Sequence, residues 1–454
     1  MQDDDNNSND LDTPRAGWLG PWLKGFPALQ APLPLEQVAQ RAWRLGAPEL
    51  PLPLAVLRQS ALAHNITWMQ TFAQEQGVQL APHGKTTMSP QLFKQQLAEG
   101  AWGLTFANVH QLRLGLVAGA RRALLANQLL SAADLAELLD LRRRHGQPEL
   151  AFFVDSSAQL AQLAQHWQAL GAAARGEARL DVLIELGSSR CGVRQPEQAL
   201  ALARQLQQHP ALRLRGLAFY EGLEASGESA ADRALLQHWQ QRVETVLAGI
   251  ESEQLMDDAD AAPLWLSGGG SALFDLVAPV LAGQGGACRP RLGLLRSGCY
   301  VCHDRGLYQR MVAEVDVRLG TPLGAAGHGE SASSLRPALE VWTQVLSCPE
   351  PGLALLNAGR RDVGFDQGWP LPVWHLPQAP AAARNPAPAG WAITGLNDQH
   401  AYLRWDADSV VGPAVGDRVA LGPSHPCTTF DKWAWMAVVD DDDRVVDAIT
   451  TQFS

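Results

Sequence analysis

From residue 53 onward, short apolar runs alternate with longer stretches in which apolar positions recur every three or four residues. The runs Leu54 to Leu57, Val78 to Ala81, Gly103 to Phe106, Ala123 to Ala126, Leu150 to Val154, Leu180 to Leu186, Leu212 to Phe219, Leu264 to Ser267 and Leu292 to Leu295 predict strands. Helix-period segments such as Ala61 to Gln76 lie between them. Continuous apolar runs alternating with amphipathic helices are the pattern of a parallel sheet covered on both faces. The count and length favour an α/β architecture closed into a (β/α)8 barrel over an open doubly wound sheet. After about Gly298 the pattern changes. Met311 to Leu319, Leu339 to Ser347, Ala401 to Trp405, Arg418 to Leu421 and Ala434 to Val439 read as strands broken by Gly and Pro. They predict a C-terminal β-rich domain over 299–454, with the barrel at 50–298.

Residues 1 to about 13 are polar and acidic and are expected to be flexible. The segment Gly17 to Glu49, rich in Trp, Pro and Leu with a helix predicted at Leu35 to Arg44, reads as a lead-in packed on the body of the protein. Gln378 to Gly390 reads as a Pro- and Ala-rich loop, and the acids Asp440 to Asp443 as a solvated hairpin tip.

Composition narrows the function classes. A net charge of -11 argues against a nucleic-acid surface, and no apolar run reaches bilayer length. The N-terminus is acidic, and the six cysteines (Cys191, Cys288, Cys299, Cys302, Cys348, Cys427) form no regular framework, so free thiols and a cytoplasmic location are expected.

Several segments could carry chemistry where barrel strands end, which is where a barrel places its active site. In Pro82-His83-Gly84-Lys85-Thr86 a lysine follows the second strand, and a lysine so placed can form a Schiff base with an aldehyde cofactor. Ser267-Gly268-Gly269-Gly270-Ser271 precedes an apolar helix, so consecutive amides and hydroxyls can converge on a phosphate; it is neither a Walker loop nor a dinucleotide fingerprint. Cys299 to His303 matches the Cys-x-x-Cys-His signal for c-type haem, a reading rejected because no export signal accompanies it. His425 and Cys427 are one residue apart, so in an extended segment both side chains project to one side and can grip a cation such as zinc. Two ligands are too few for a structural zinc site and suit a catalytic one with open positions.

The order strand, Pro-His-x-Lys-Thr, helix, following the Pro53 to Arg58 strand and the Ala63-His64-Asn65-Ile66 helix start, resembles the pyridoxal-phosphate enzymes of the alanine-racemase-like barrel. Within them it is most similar to the D-serine dehydratase and D-threonine aldolase group. The resemblance implies that Lys85 carries the cofactor and abstracts the α-proton, with His83 beside it. It also implies that Arg190, in Glu185-Leu186-Gly187-Ser188-Ser189-Arg190-Cys191-Gly192, approaches the cofactor's phenolic oxygen. Tyr220 would face the pyridine ring, although Glu221-Gly222-Leu223 lacks the Gly-His pair of many relatives. Ser267, Gly268, Gly269 and Gly270 would hold the phosphate, with Tyr300 of Arg296-x-Gly298-x-Tyr300 near it. His425-Pro426-Cys427 resembles the metal site of D-serine dehydratases.

The activity implied is that of a pyridoxal 5'-phosphate and divalent-metal dehydratase, with zinc expected and manganese the alternative. It converts a small-molecule D-hydroxyamino acid such as D-serine or D-threonine to a 2-oxo acid and ammonia. A homodimer is implied as well. A D-threonine aldolase is the alternative within the class; its relatives tend to have an acid where this chain has Cys427. A cofactor-binding homeostasis protein without turnover is the alternative from another class, and it sits poorly with the C-terminal domain.

Overall fold

A computed structural model describes residues 17–171, 175, 179–209, 211–256, 262–283, 290–320, 334–379, 382–408 and 410–453; the expected flexible N-terminal stretch lies outside them. The chain forms two compact units, 66–300 with 310–323, and 1–65 with 301–309 and 324–454.

The first unit is a parallel eight-stranded sheet in the order Gln79–Leu80, Arg291–Leu295, Leu264–Gly268, Leu212–Phe219, Leu180–Leu186, Glu149–Val154, Arg122–Gln128, Leu104–Phe106. A parallel bridge between His83 and Thr105, with the Trp102 and Thr105 amides donating to the Leu80 and Pro82 carbonyls, brings the two ends of that order together. The expected (β/α)8 barrel is therefore present. A layer of inward side chains fills its bore: Leu124, Ala151, Phe153, Leu183, Ala218, Trp265 and Leu294. Trp102 meets Trp265 edge to face at 4.9 Å. A packed bore confines chemistry to the strand ends.

The second unit is a ten-stranded, mainly antiparallel sheet built around Leu339–Glu350. The strand Leu54–Arg58 belongs to it, antiparallel to Leu339–Trp342 and parallel to Ala437–Val439, and is not the first barrel strand that its apolar run suggested. The physical reason is Arg58, whose guanidinium is buried and donates to Glu340 at 2.8 and 3.1 Å, a partner that only this sheet supplies. The strand Arg291–Leu295 completes the barrel's count instead. Lead-in residues Leu19, Phe26, Val38 and Trp43 share the core of this second unit with Trp342 and Trp435.

Met311 to Leu319, expected as a strand, lies in the helix Leu307–Leu319. The Asp304 carboxylate accepts the Gly306, Tyr308 and Gln309 amides and so satisfies the orphan donors of a helix start. Val312, Val315 and Asp316 then bury one helical face.

Candidate active site and metal pair

In the barrel unit, Lys85 sits in a single 3-10 turn, Gly84–Thr86, immediately after the closing bridge at His83. Gly84 is required there: a methyl group on it would lie 2.5 Å from the Phe106 ring and 2.9 Å from Phe93. The Lys85 side chain is exposed while its neighbours Thr86 and Thr87 are buried, so the amine is presented at the strand ends on a fixed backbone. The Lys85 amide donates to His83 Nδ1. Burial first, then the charges of Lys85, Arg296 and Arg190, hold the His83 imidazole well below its ordinary pKa and hence neutral.

Arg190 stands in the turn after Leu180–Leu186, which folds back so that Val193 bridges Leu186. Its guanidinium carbon is 5.2 Å from the centroid of the Tyr220 ring, a cation-π distance. Burial, reinforced by Glu221 and Cys299 against the Arg190 and Arg296 charges, pushes the Tyr220 phenol up to about 12, so it stays protonated. The ring lies against the glycine-rich turn, where a methyl group on Gly270 would come within 2.9 Å of it. Lys85, His83, Arg190, Tyr220 and the glycine-rich turn are thus gathered at one end of the barrel.

Three expected contacts take another form. Ser267 is fully buried, donating from Oγ to the Leu294 carbonyl and accepting from Arg296, so its hydroxyl is spent within the barrel wall. The Gly269 and Gly270 amides already donate to the Glu221 carboxylate, at 3.2 and 3.0 Å, while Gly268 contributes its carbonyl to the Arg296 amide. Tyr300 turns its hydroxyl to Gln96 on the helix Pro90–Ala98, accepting at 2.8 Å, and its pKa is raised chiefly by burial.

Two residues unassigned from the sequence are central here. Arg296 is buried, donates to Ser267 Oγ and the Phe219 carbonyl at 2.8 Å each, and lies 5.3 Å from the Phe153 ring centroid. Glu221 has no exposed surface. Both stood inside the quoted motifs, but no spacing rule separates a buried charged side chain from a solvated one. A further carboxylate group, Asp155 with Glu185 and beside them Cys191, is bridged by the Gln128 amide, which donates to both acids. Burial raises the Glu185 carboxyl pKa, with the Gln128 hydrogen bond opposing it.

The second unit holds His425 and Cys427. The segment joining them is not extended: Pro426 is in the right-handed helical region and opens a single turn, Cys427–Phe430. The two side chains still meet, the imidazole being hydrogen-bonded to Cys427. Its Nδ1 meets Asp366 Oδ2 at 2.7 Å, and Asp366 Oδ1 accepts from Thr428 at 2.6 Å. Burial alone would lower the His425 pKa; the Cys427 and Asp366 side chains outweigh it and raise it to about 9. Burial in turn pushes Asp366 up, and the hydrogen bonds from Thr428 and His425 prevail and hold it below the usual carboxylate range. Cys302, fully buried, has its thiol raised by burial first and then by the nearby Cys427 and Asp304.

Compared with known proteins, residues 57–271 match the family model "Alanine racemase, N-terminal domain" and residues 338–439 match "Putative serine dehydratase domain". The chain is 27% identical to a D-threonine aldolase from Arthrobacter sp, over 88% of this chain and 90% of the relative. It is 28% identical to a D-threo-3-hydroxyaspartate dehydratase from Delftia sp. (strain HT23), over 86% of this chain and 95% of the relative. Among solved structures, D-threonine aldolase from Filomicrobium marinum superposes with a TM-score of 0.72 at 23% identity, covering 90% of this chain and 97% of that one, a likeness of fold. Structures of D-threo-3-hydroxyaspartate dehydratase include one with a histidine replaced by alanine and one with a cysteine replaced by alanine in the metal-free form.

Proposed function

Because the chain has the alanine-racemase-like fold and is a relative of D-threonine aldolase and D-threo-3-hydroxyaspartate dehydratase along most of its length, we propose that it is a pyridoxal-phosphate- and divalent-metal-dependent D-hydroxyamino-acid dehydratase. Its substrates are D-serine, D-threonine or close analogues, released as a 2-oxo acid and ammonia. The observation that carries this reading is the His425–Cys427 pair with Asp366 behind the imidazole.

The residues fit both groups. An exposed amine on a rigid turn, two guanidinium groups and a close-packed glycine turn suit an anionic aldehyde cofactor. A thiol beside an imidazole whose Nδ1 is held by a carboxylate is a borderline-soft donor set with its outer shell in place, which suits zinc, with manganese the alternative. Nε2 of His425 and Sγ of Cys427 would hold the metal. Alanine replaces a histidine and a cysteine two positions apart in the dehydratase structures, the spacing of His425 and Cys427.

Bound in these sites, pyridoxal phosphate supplies an electron sink for the α-carbon and the cation supplies a Lewis acid for a hydroxyl oxygen. Lys85 would hold the cofactor through its amine and would be the base for the α-proton. Arg190 stabilises the phenolic oxygen as an anion. Tyr220, held protonated, keeps its ring against the glycine turn and limits the space beside the cofactor.

Retro-aldol cleavage is the second reading, favoured by the match to a D-threonine aldolase and to 3-hydroxy-D-aspartate aldolases from Paracoccus denitrificans. A binding protein without turnover is disfavoured by the match at 338–439. A homodimer and a cytoplasmic location are proposed with the activity, from the resemblance and from cysteines that form no disulfide among the described residues. No helix among the described residues is long and apolar enough to cross a membrane. Mass in solution tests the first, and fractionation the second.

Metal removal tests the function. Chelation is expected to abolish 2-oxo acid production with zinc restoring it, and Cys427→Ala is expected to resist restoration. Full turnover by the stripped protein would overturn the metal's role.

A further inference from the structure

Glu221 is, among the described residues, the one carboxylate in the barrel site with no exposed surface, and its two oxygens are each taken by a backbone N–H. Oε2 accepts from Gly269 at 3.2 Å and Oε1 from Gly270 at 3.0 Å. Two N–H donors facing two oxygens meet an acceptor on both sides, an arrangement that suits a carboxylate. Burial raises the Glu221 pKa, and the two amides oppose it together with Arg296, which donates to Ser267 Oγ and the Phe219 carbonyl and attracts Glu221 through space. Adjacent amides turned inward at a glycine in the positive-φ region form an anion nest. Gly269, at φ 84°, is such a glycine, and its nest is already filled by a carboxyl group of the chain's own.

The same turn fixes Tyr220. A methyl group on Gly222 would meet the Tyr220 hydroxyl at 2.6 Å, and one on Gly270 would meet the ring at 2.9 Å, so the aromatic side chain is confined between two backbone segments. Glu221 ties one of those segments to the other. The far side of the turn is stitched by Ser297, donating to the Gly270 carbonyl at 2.8 Å, and by Ser271, accepting the Cys299 amide at 3.1 Å.

We propose that Glu221 is a positioning residue. By occupying the Gly269 and Gly270 amides it holds the glycine-rich turn in one shape, seats the Tyr220 ring, and leaves the cofactor's phosphate to other donors. This rests on the cofactor reading above. It departs from the expectation that Gly269 and Gly270 themselves bind the phosphate, since a carboxylate and a phosphate cannot share the same two N–H groups.

The test is a titration of the cofactor-free protein, as wild type, Glu221→Gln and Glu221→Ala, with pyridoxal phosphate, with pyridoxal and with inorganic phosphate, read by absorbance and tryptophan quenching. Glu221→Ala is expected to lose about tenfold or more in pyridoxal-phosphate affinity, the loss that follows from two hydrogen bonds to a charged group. Pyridoxal, which has no phosphate to place, is expected to bind within about twofold of wild type by the same reasoning. Glu221→Gln keeps one acceptor oxygen and is expected to recover part of the loss, and it carries the test alone if the alanine variant does not fold. Tighter binding of pyridoxal phosphate or inorganic phosphate by Glu221→Ala would overturn the proposal, because it would make Glu221 a competitor for the phosphate's own amides. Equal losses for pyridoxal phosphate and pyridoxal would overturn it too, as would unchanged affinity in both variants. Wild-type protein that binds neither aldehyde would instead overturn the cofactor reading, and the role of Glu221 with it.

Discussion

Asp366 shows what a single side chain contributes to the proposed metal pair. It accepts from His425 Nδ1 at 2.7 Å and from Thr428 at 2.6 Å, so it fixes both the tautomer and the angle of the imidazole. Asp366→Asn keeps the shape and loses the charge. Metal affinity measured by chelator competition is expected to fall about 10- to 100-fold, with folding unaffected. Unchanged affinity would show that the imidazole needs no such partner. Asp366 lies 59 residues before His425, and its pairing is a product of the fold. Lys85, Arg190, Tyr220 and the glycine turn were legible because each follows a strand in a recognisable short motif. Glu221 and Arg296 were not, although both sit in those motifs, since burial of a charge is decided by what packs over it.

At the scale of elements, the strand Leu54–Arg58 carries the clearest lesson. Its apolar run fits any strand buried on both faces, and periodicity does not say which sheet receives it. Arg58 decides: Glu340 accepts from it and also from the indole nitrogens of Trp342 and Trp374, at 2.9 and 2.8 Å. Both charges are buried, at 8% and 3% side-chain exposure. Arg58→Ala would strand Glu340 without its cation, and a loss of about 3–5 kcal/mol is expected in denaturant unfolding. The sign of the pH dependence follows from Glu340. Burial pushes its carboxyl up, yet the Arg58 charge and hydrogen bond prevail and hold it below the ordinary value. The stabilisation is therefore complete above the unfolded glutamate range near pH ~4.3 and is lost as pH falls through the lower folded value. The gap between wild type and Arg58→Ala should be widest near neutrality and should narrow in acid; a gap independent of pH would assign the loss to packing. The helix Leu307–Leu319 was hidden for a related reason, since its capping acid, Asp304, lies three residues before it and belongs to no standard cap signature.

For the whole molecule, the barrel was legible from the repetition of strand and helix, and the C-terminal β-rich unit from the loss of that repetition. The place of the lead-in was only half visible: Leu19, Phe26, Val38 and Trp43 were apolar enough to predict packing, but not to say that they join Trp342 and Trp435 in the second unit's core. The relatives span both units, 88% of this chain for the aldolase and 86% for the dehydratase, so kinship along the chain does not choose between the two reactions. In the proposed function that choice lies with the donor set around His425 and Cys427. D-Threonine separates the outcomes in one assay with the zinc-loaded protein. A dehydratase gives 2-oxobutyrate and ammonia in equal amounts, the expected result, and glycine with acetaldehyde in their place would contradict the proposed function.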